Sequence, residues 1–353
     1  MGATSDVQIL RELARQYRDI AALEVQDERR DLWRRHNGLI RTRPLIYVRC
    51  FAAWRELPFS KLQCQDPFYR QHERFLRERI FQHSIGDDFI IEPWIVQRAT
   101  VVSPPGGPWG FAYEHIHSSE PRGAWKFDPP IKDPQDIDRL ATPRHVIDEA
   151  STARNVERLQ DAVGDILPVC VDRAPLYRVW HADISYELAQ LRGLEQVMWD
   201  MVDRPQWLHR LCARLRDGVL RTHEEAERAG DWRLCNHENQ AMPYAPELPD
   251  PGLDSRPVRR KDLWWFVAAQ EMAQVPPAMH EAFVLNYQLP IISQFGLVAY
   301  GCCEDLTNKI DMLRRIPNLR RIAVTPFADV AKCAEQIGED YVFSWRPNPA
   351  LMV

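Results

Sequence analysis

The feature that most constrains this chain lies in its last third. Three short runs rich in branched and aromatic residues, "GLVAYG", "LRRIAV" and "YVFSW", alternate there with two stretches of helical spacing, "EDLTNKIDMLRRI" and "DVAKCAEQIG". Strand-length apolar runs separated by helix-length segments specify parallel strands joined by crossover helices. The middle of the chain continues the theme. It holds a strand "ILPVCVDR", two long helices separated at Pro205, a short strand "WRLCNHEN", and helices over "KDLWWFVAAQEMA" and "PAMHEAFVLNYQLPIISQF". The N-terminal third opens with the helical patterns "VQILRELARQYRDIAAL" and "ERRDLWRRHNGLI". A strand "RPLIYVRC", a helix from Pro67 to His83 and a strand "DDFIIEPWIV" follow.

An open doubly wound sheet and a closed barrel both satisfy this alternation. No glycine-rich dinucleotide fingerprint follows an early strand, which favours the barrel. The expected fold is therefore α/β, a TIM (β/α)8-type barrel over residues 43–353 preceded by a helical extension over 1–42. The Gly-, Pro- and aromatic-rich stretch near 103–130 reads as an insertion or lid loop. In such a barrel the working side chains lie at the C-terminal ends of strands. Those ends carry Arg49, Glu92, Asp172, Arg173, the run His237, Glu238 and Asn239, the run from Tyr300 through Cys302 and Glu304 to Asp305, Thr325, and Ser344 to Arg346.

Hydrophobic residues at 45% and charged residues at 27% suit a globular enzyme with an ample core. A net charge of −5, with arginines interspersed among carboxylates, offers no nucleic-acid footprint. No apolar run approaches the ~20 residues needed to span a bilayer, and the N-terminus lacks a signal-peptide core, so a cytoplasmic protein is expected. The eight cysteines are scattered without a C-x-x-C pair, which argues against a disulfide framework.

Several constellations bear on chemistry. Cys302 and Cys303 stand between a strand and an expected helix, where a helix N-terminus would lower a thiol pKa; small buried cysteines are the alternative. In "CNHENQ", Cys235 and His237 would share one face of a strand and with Cys302 or Cys303 would supply three metal ligands; a hydrogen-bonded histidine without metal is equally open. Arg49, Glu92, Asp172 and Arg173 read either as holders of an anionic substrate beside a general acid or as structural ion pairs. Trp94 and Trp264–Trp265 suit a pocket wall or plain core.

Taken in order, "RPLIYVRC", "LRGLEQVMWDMVDRPQWLHRL", "YGCCEDLTNKIDMLRRIPNLRRIAVTPFADVAKCAEQIG" and "RPNPA" resemble the uroporphyrinogen decarboxylase-like superfamily, most closely its methyltransferase-type or uncharacterised bacterial members. The resemblance runs roughly from Arg43 to Ala350. It implies a TIM barrel and transfer of a methyl group from a small O-, N- or S-methylated compound to a cobalt corrinoid on a partner protein. In the zinc-dependent members a strand ends in His-x-Cys-Gly; aligned here, Tyr300 takes the histidine place, Cys302 the cysteine place and Cys303 the glycine place. A zinc site would then draw on Cys302 and His237. The arginines that hold carboxylates in the decarboxylase correspond loosely to Arg49 and Arg55.

On this hypothesis the candidates for catalysis are His237, Glu238, Tyr300 and Asp172, and those for substrate binding are Arg49, Glu92, Trp94, Arg173, Asn239 and Arg346. Two further readings stand beside it: a metal-free decarboxylase using Arg49, Asp172 and Arg173, and a non-catalytic barrel subunit. The chain ends soon after "RPNPA", where relatives continue into a last helix and strand, so a homodimer or a partner chain that completes the barrel is expected.

Overall fold

The computed structural model describes residues 5–49, 61–120, 123, 125–253 and 257–351. They fall into two compact units, one built from 1–100, 148–173 and 241–255, the other from 101–147, 174–240 and 256–353. In chain order, helices α1 (Asp6–Ala21), α2 (Glu24–Asn37) and α3 (Pro67–Ile85) lead to strand β1 (Ile95–Arg98). Strands β2 (Glu114–His117) and β3 (Trp125–Asp128) precede α4 (Glu149–Val163) and β4 (Val169–Asp172). Next come α5 (Ser185–Arg192), α6 (Leu194–Asp203), α7 (Pro205–Ala229) and β5 (Trp264–Val267). Helix α8 (Pro277–His280) passes through a π-helical turn into α9 (Asn286–Ile292). The chain continues with β6 (Leu297–Tyr300), α10 (Ile310–Leu313), β7 (Leu319–Val324), α11 (Val330–Ile337) and β8 (Val342–Trp345).

In the first unit, Ser5 caps α1 through a reciprocal pair with Gln8, and the helix buries Ile9, Leu10, Leu13, Ala14 and Tyr17. These side chains join Leu76 of α3 and Leu159, Ala162 and Val163 of α4 in one core. β1 pairs in parallel with β4, Ile95 opposite Val169 and Arg98 opposite Asp172. The expected strand "RPLIYVRC" is irregular over residues 43–49 because carboxylates take the place of a neighbouring strand. Asp88 accepts the Ile46 N–H at 2.7 Å and Asp87 the Val48 N–H at 2.8 Å. Cys50 and Arg55 lie outside the described residues. The expected strand "DDFIIEPWIV" is shortened to begin at Ile95, since the Ile91 N–H bonds the Gln26 side chain and Pro93 has no N–H to give.

The second unit carries a four-stranded parallel sheet in the order β5-β6-β7-β8. Trp265, Val267, Val298, Tyr300, Ile322 and Val324 alternate onto one face and pack in the core with Leu208, Leu211 and Leu215 of α7. Side chains of the other face, Trp264, Phe266, Ala299 and Ala323, are buried too. That two-sided burial explains why "WWFVAA", read as helix, is strand β5: a run apolar on both faces shows no period to separate the two. The tryptophan pair is core; Trp265 stacks on Phe295 with centroids 4.2 Å apart.

Two further differences have local causes. The long helical stretch before Ala229 breaks at Gly193 (φ 85) as well as at Pro205, giving three helices. The insertion holds the antiparallel pair β2–β3. The class is mixed α/β with parallel sheets and helices. No helix among the described residues is long and apolar enough to cross a membrane.

Candidate active site

The second unit gathers carboxylates at the ends of its sheet strands. Glu304, fully buried, accepts the Ala269 N–H just past β5 at 2.9 Å and the Cys302 N–H just past β6 at 2.8 Å. Between them Gly301 turns the chain at φ 97, where a Cβ would meet Leu306 at 2.7 Å. Glu271, half-buried, accepts the Ser185 hydroxyl at 2.7 Å. Asp183 completes the group at 1% exposure, and its Oδ1 has no hydrogen-bond partner among the described residues.

Burial pushes the Asp183 pKa well above the ordinary carboxylate range; the charges of Glu271 and Glu304 push the same way, and the Ala268 N–H only partly offsets them. The Glu271 pKa is also raised, by burial first, with the Ser185 hydrogen bond opposing and Glu304 adding. Like charges crowded in a dry site cannot all ionise. Burial and the neighbouring charges therefore favour the protonated form of Asp183.

Asp183 is fixed from behind. Its carbonyl and that of Ala268 both accept the Gln288 amide, at 2.9 Å each. The Gln288 Oε1 so oriented accepts the Tyr300 hydroxyl at 3.1 Å, and Tyr300 in turn accepts the His280 Nε2–H at 2.9 Å. Burial lowers the His280 pKa to about 3, so the ring stays neutral within this chain of bonds.

The loop that delivers Asp183 also presents a histidine. His181 Nδ1 lies 2.6 Å from Glu187 Oε1, and the Tyr113 hydroxyl donates to the other oxygen of the same carboxylate. The His181 side chain keeps 29% of its surface exposed while that of Glu187 keeps 1%, so the carboxylate aims the ring from inside. Three i→i+2 backbone hydrogen bonds fold the loop: Arg178 N–H to Leu176, His181 N–H to Val179, and Ser185 N–H to Asp183 at 2.6 Å. Val179 (φ 29), Trp180 (φ 49) and Ile184 (φ 61, ψ −55) occupy backbone regions that bulky residues avoid. Each such residue costs roughly 1–3 kcal/mol, and strain of this kind concentrates at functional loops.

The residues expected from sequence divide between the units. In the first, Arg173 makes a two-pronged pair with Glu149 at 2.6 and 3.0 Å. Glu92 accepts Tyr244 at 2.7 Å and Arg30 at 3.2 Å. Asp172, at the end of β4, lies 3.6 Å from Arg98; Arg49 sits 6.0 Å from the Tyr47 ring centroid; Trp94 is 8% exposed. In the second unit, His237 Nδ1 accepts the Trp264 N–H at 3.1 Å, Glu238 lies 3.7 Å from Arg178, and Asn239 is buried. Cys302 and Arg346 come together, because Arg346 donates to the Cys302 carbonyl and to Gln240. Tyr300 is 1% exposed within the core, its hydroxyl engaged as above. Two surface hollows, one at Glu227, Arg259 and Arg260 and the other at Arg210, Arg214 and Asp217, contain none of these groups.

The thiols do not stand at a helix N-terminus. Asp305 captures the Thr307 N–H and hydroxyl in a turn, and α10 starts only at Ile310. The Cys303 pKa is pushed up to about 11, by burial first and then by Cys302. Among the described residues no three His, Cys, Asp or Glu side chains are placed to hold a metal ion. With Tyr300 and His237 committed as described, the residues present do not fit the zinc set expected from Cys302 and His237. Glu304 belongs to the strand-end run read from sequence, whereas Asp183, Glu271 and the His181–Glu187 pair went unassigned; the density of polar and aromatic residues in "YRVWHADIS" is the signal that could have marked their loop.

A scan of known protein families finds no match to this chain, and a comparison with curated proteins finds none either.

Proposed function

We propose that the chain is an enzyme that demethylates a small O-, N- or S-methylated compound, with Asp183 as the general acid. The observation that carries this reading is Asp183, buried with its Oδ1 unpartnered among the described residues, its pKa raised by burial and by the charges of Glu271 and Glu304. When a carbon–heteroatom bond breaks, its electron pair stays on the heteroatom, and a poised acid makes that group a better leaving group. A cobalt corrinoid on a partner protein would supply the methyl acceptor. His181, oriented by Glu187, would reload Asp183 with a proton after each turnover. The fold this reading adopts is the barrel of the decarboxylase-like superfamily, with strand ends as the working edge. No step needs zinc.

Arg346 supports a second reading. It donates only to neutral acceptors among the described residues, the Cys302 carbonyl and the Gln240 side chain. Its charge would suit a substrate carboxylate, and protonation of a carbanion by Asp183 would complete a decarboxylation. One assay separates the two. The full chain is incubated with reduced free cobalamin and a panel of methylated phenols, amines and thiols, and in parallel with carboxylated analogues. Methylcobalamin formation that Asp183→Asn abolishes supports the first reading, whereas carbon dioxide release without cobalamin supports the second. Turnover of neither kind overturns both.

A further inference from the structure

Cys302 and Cys303 remain unused by that chemistry, and their geometry is specific. Their Sγ atoms lie 3.6 Å apart; Cys303 is exposed and Cys302 half-buried. The peptide groups of Cys302 are held on both sides, its N–H by Glu304 at 2.8 Å and its carbonyl by Arg346. The pair is thus a preorganised dithiol at the protein surface.

We propose that Cys302 and Cys303 form a chelating site for trivalent organoarsenicals. Two alternatives fit the geometry less well. A disulfide requires an S–S bond of about 2.05 Å between residues whose Cα atoms, across a trans peptide, are only about 3.8 Å apart, below the usual range for bridged cysteines. Closing it would twist the Cys302–Cys303 peptide, whose carbonyl Arg346 holds. A tetrahedral metal ion would need further protein ligands, and none of the described His, Cys, Asp or Glu side chains joins the pair to make three.

A monosubstituted arsenical, R–As(OH)2, brings its own third substituent and asks the protein for two sulfurs. Two As–S bonds form and two As–O bonds break. Each thiol proton leaves with a hydroxide as water, arsenic stays trivalent, and no oxidant enters. Once the first sulfur is bound the second is already in reach, so capture is intramolecular and should exceed that by a single thiol by about 100-fold or more.

The test is titration of the reduced full chain with phenylarsine oxide, followed by native mass spectrometry and peptide mapping. One adduct per chain is expected, bridging Cys302 and Cys303, stable to a large excess of 2-mercaptoethanol and removed by 2,3-dimercaptopropanol. Cys303→Ser replaces an exposed residue and should keep the wild-type melting temperature while losing resistance to monothiol. Cys235→Ser, at a half-buried thiol elsewhere, should change nothing. A wild-type chain that forms no monothiol-resistant adduct, an adduct mapped to other cysteines, or one that persists in Cys303→Ser overturns the proposal. The mapping is read on wild-type protein, so it does not depend on any variant folding.

Discussion

His181 Nδ1 sits 2.6 Å from Glu187 Oε1, a carboxylate almost sealed from solvent. With the Tyr113 hydroxyl donating to the other carboxylate oxygen, this geometry favours an Nδ1–H that donates to Glu187 and leaves Nε2 turned away from it. Nitrogen NMR should report the Nδ1–H tautomer in the wild type and a shift towards Nε2–H in Glu187→Gln. Replacing His181 by alanine should slow turnover by about 10²–10⁴-fold with little change in melting temperature. An unchanged tautomer ratio in Glu187→Gln would remove the orienting role of the carboxylate.

Asp183 sets a pH dependence whose sign is fixed. Its folded pKa is raised above the ordinary value of 3.8 by burial first and by Glu271 and Glu304 next. Below that ordinary value the folded and unfolded chains both hold the proton. As pH rises, the unfolded chain releases it while the folded chain keeps it, so this contribution to stability is lost up to and through the folded pKa. Asp183→Asn keeps the shape without the titration. Its melting temperature should gain on wild type progressively as pH rises from about 4 towards the raised folded pKa, while activity falls. Parallel melting curves across that range would count against a neutral acid at this position.

Ile184 allows strain and packing to be separated. Its side chain is fully buried and its backbone stands at φ 61, ψ −55. Truncation to alanine should cost about 2–5 kcal/mol in lost packing. Glycine usually costs a further ~0.5–1 kcal/mol, but here it also relieves roughly 1–3 kcal/mol of backbone strain. Urea denaturation should therefore find Ile184→Gly at least as stable as Ile184→Ala. A clearly weaker glycine variant would show the turn to be unstrained.

The junction of α5 and α6 depends on a buried pair. Arg192 and Asp200, with side chains 2% and 1% exposed, meet at 2.7 Å, and Arg192 also donates to the carbonyls of Ile131 and Lys132. Removing one partner strands a buried charge, so Arg192→Met should lose about 3–5 kcal/mol. Arg204, 3.5 Å from the same carboxylate with a half-exposed side chain, should matter by less than about 1 kcal/mol when changed to alanine. Equal losses from the two substitutions would contradict this division.

How much was legible in the sequence follows from where each signal resides. "LRRIAV" coincides with β7, and "GLVAYG" and "YVFSW" enclose β6 and β8, because branched runs between turn residues have a strong local preference for strand. β5 was illegible because its two buried faces erase alternation, and "RPLIYVRC" misled because Asp87 and Asp88 meet its backbone instead of a strand. Helix α4, started by Asp148 accepting the Ser151 N–H, passed without notice. At the site, the strand-end rule found Cys302 and Arg346, which do meet. It covered Glu304 within the run from Tyr300 to Asp305 but missed Asp183 and Glu271, whose convergence on it is a tertiary event. The strained turns at Val179, Trp180 and Ile184 use residues that advertise no turn at all.

Glu304 receives one N–H from the loop after β5 and another from the loop after β6. Anyone wishing to retune this chain for a new substrate inherits that clasp. The two loops cannot be exchanged, lengthened or randomised one at a time, since altering either orphans a fully buried carboxylate that the other still needs. For a library or a graft, the unit of variation is the pair of loops together with Glu304.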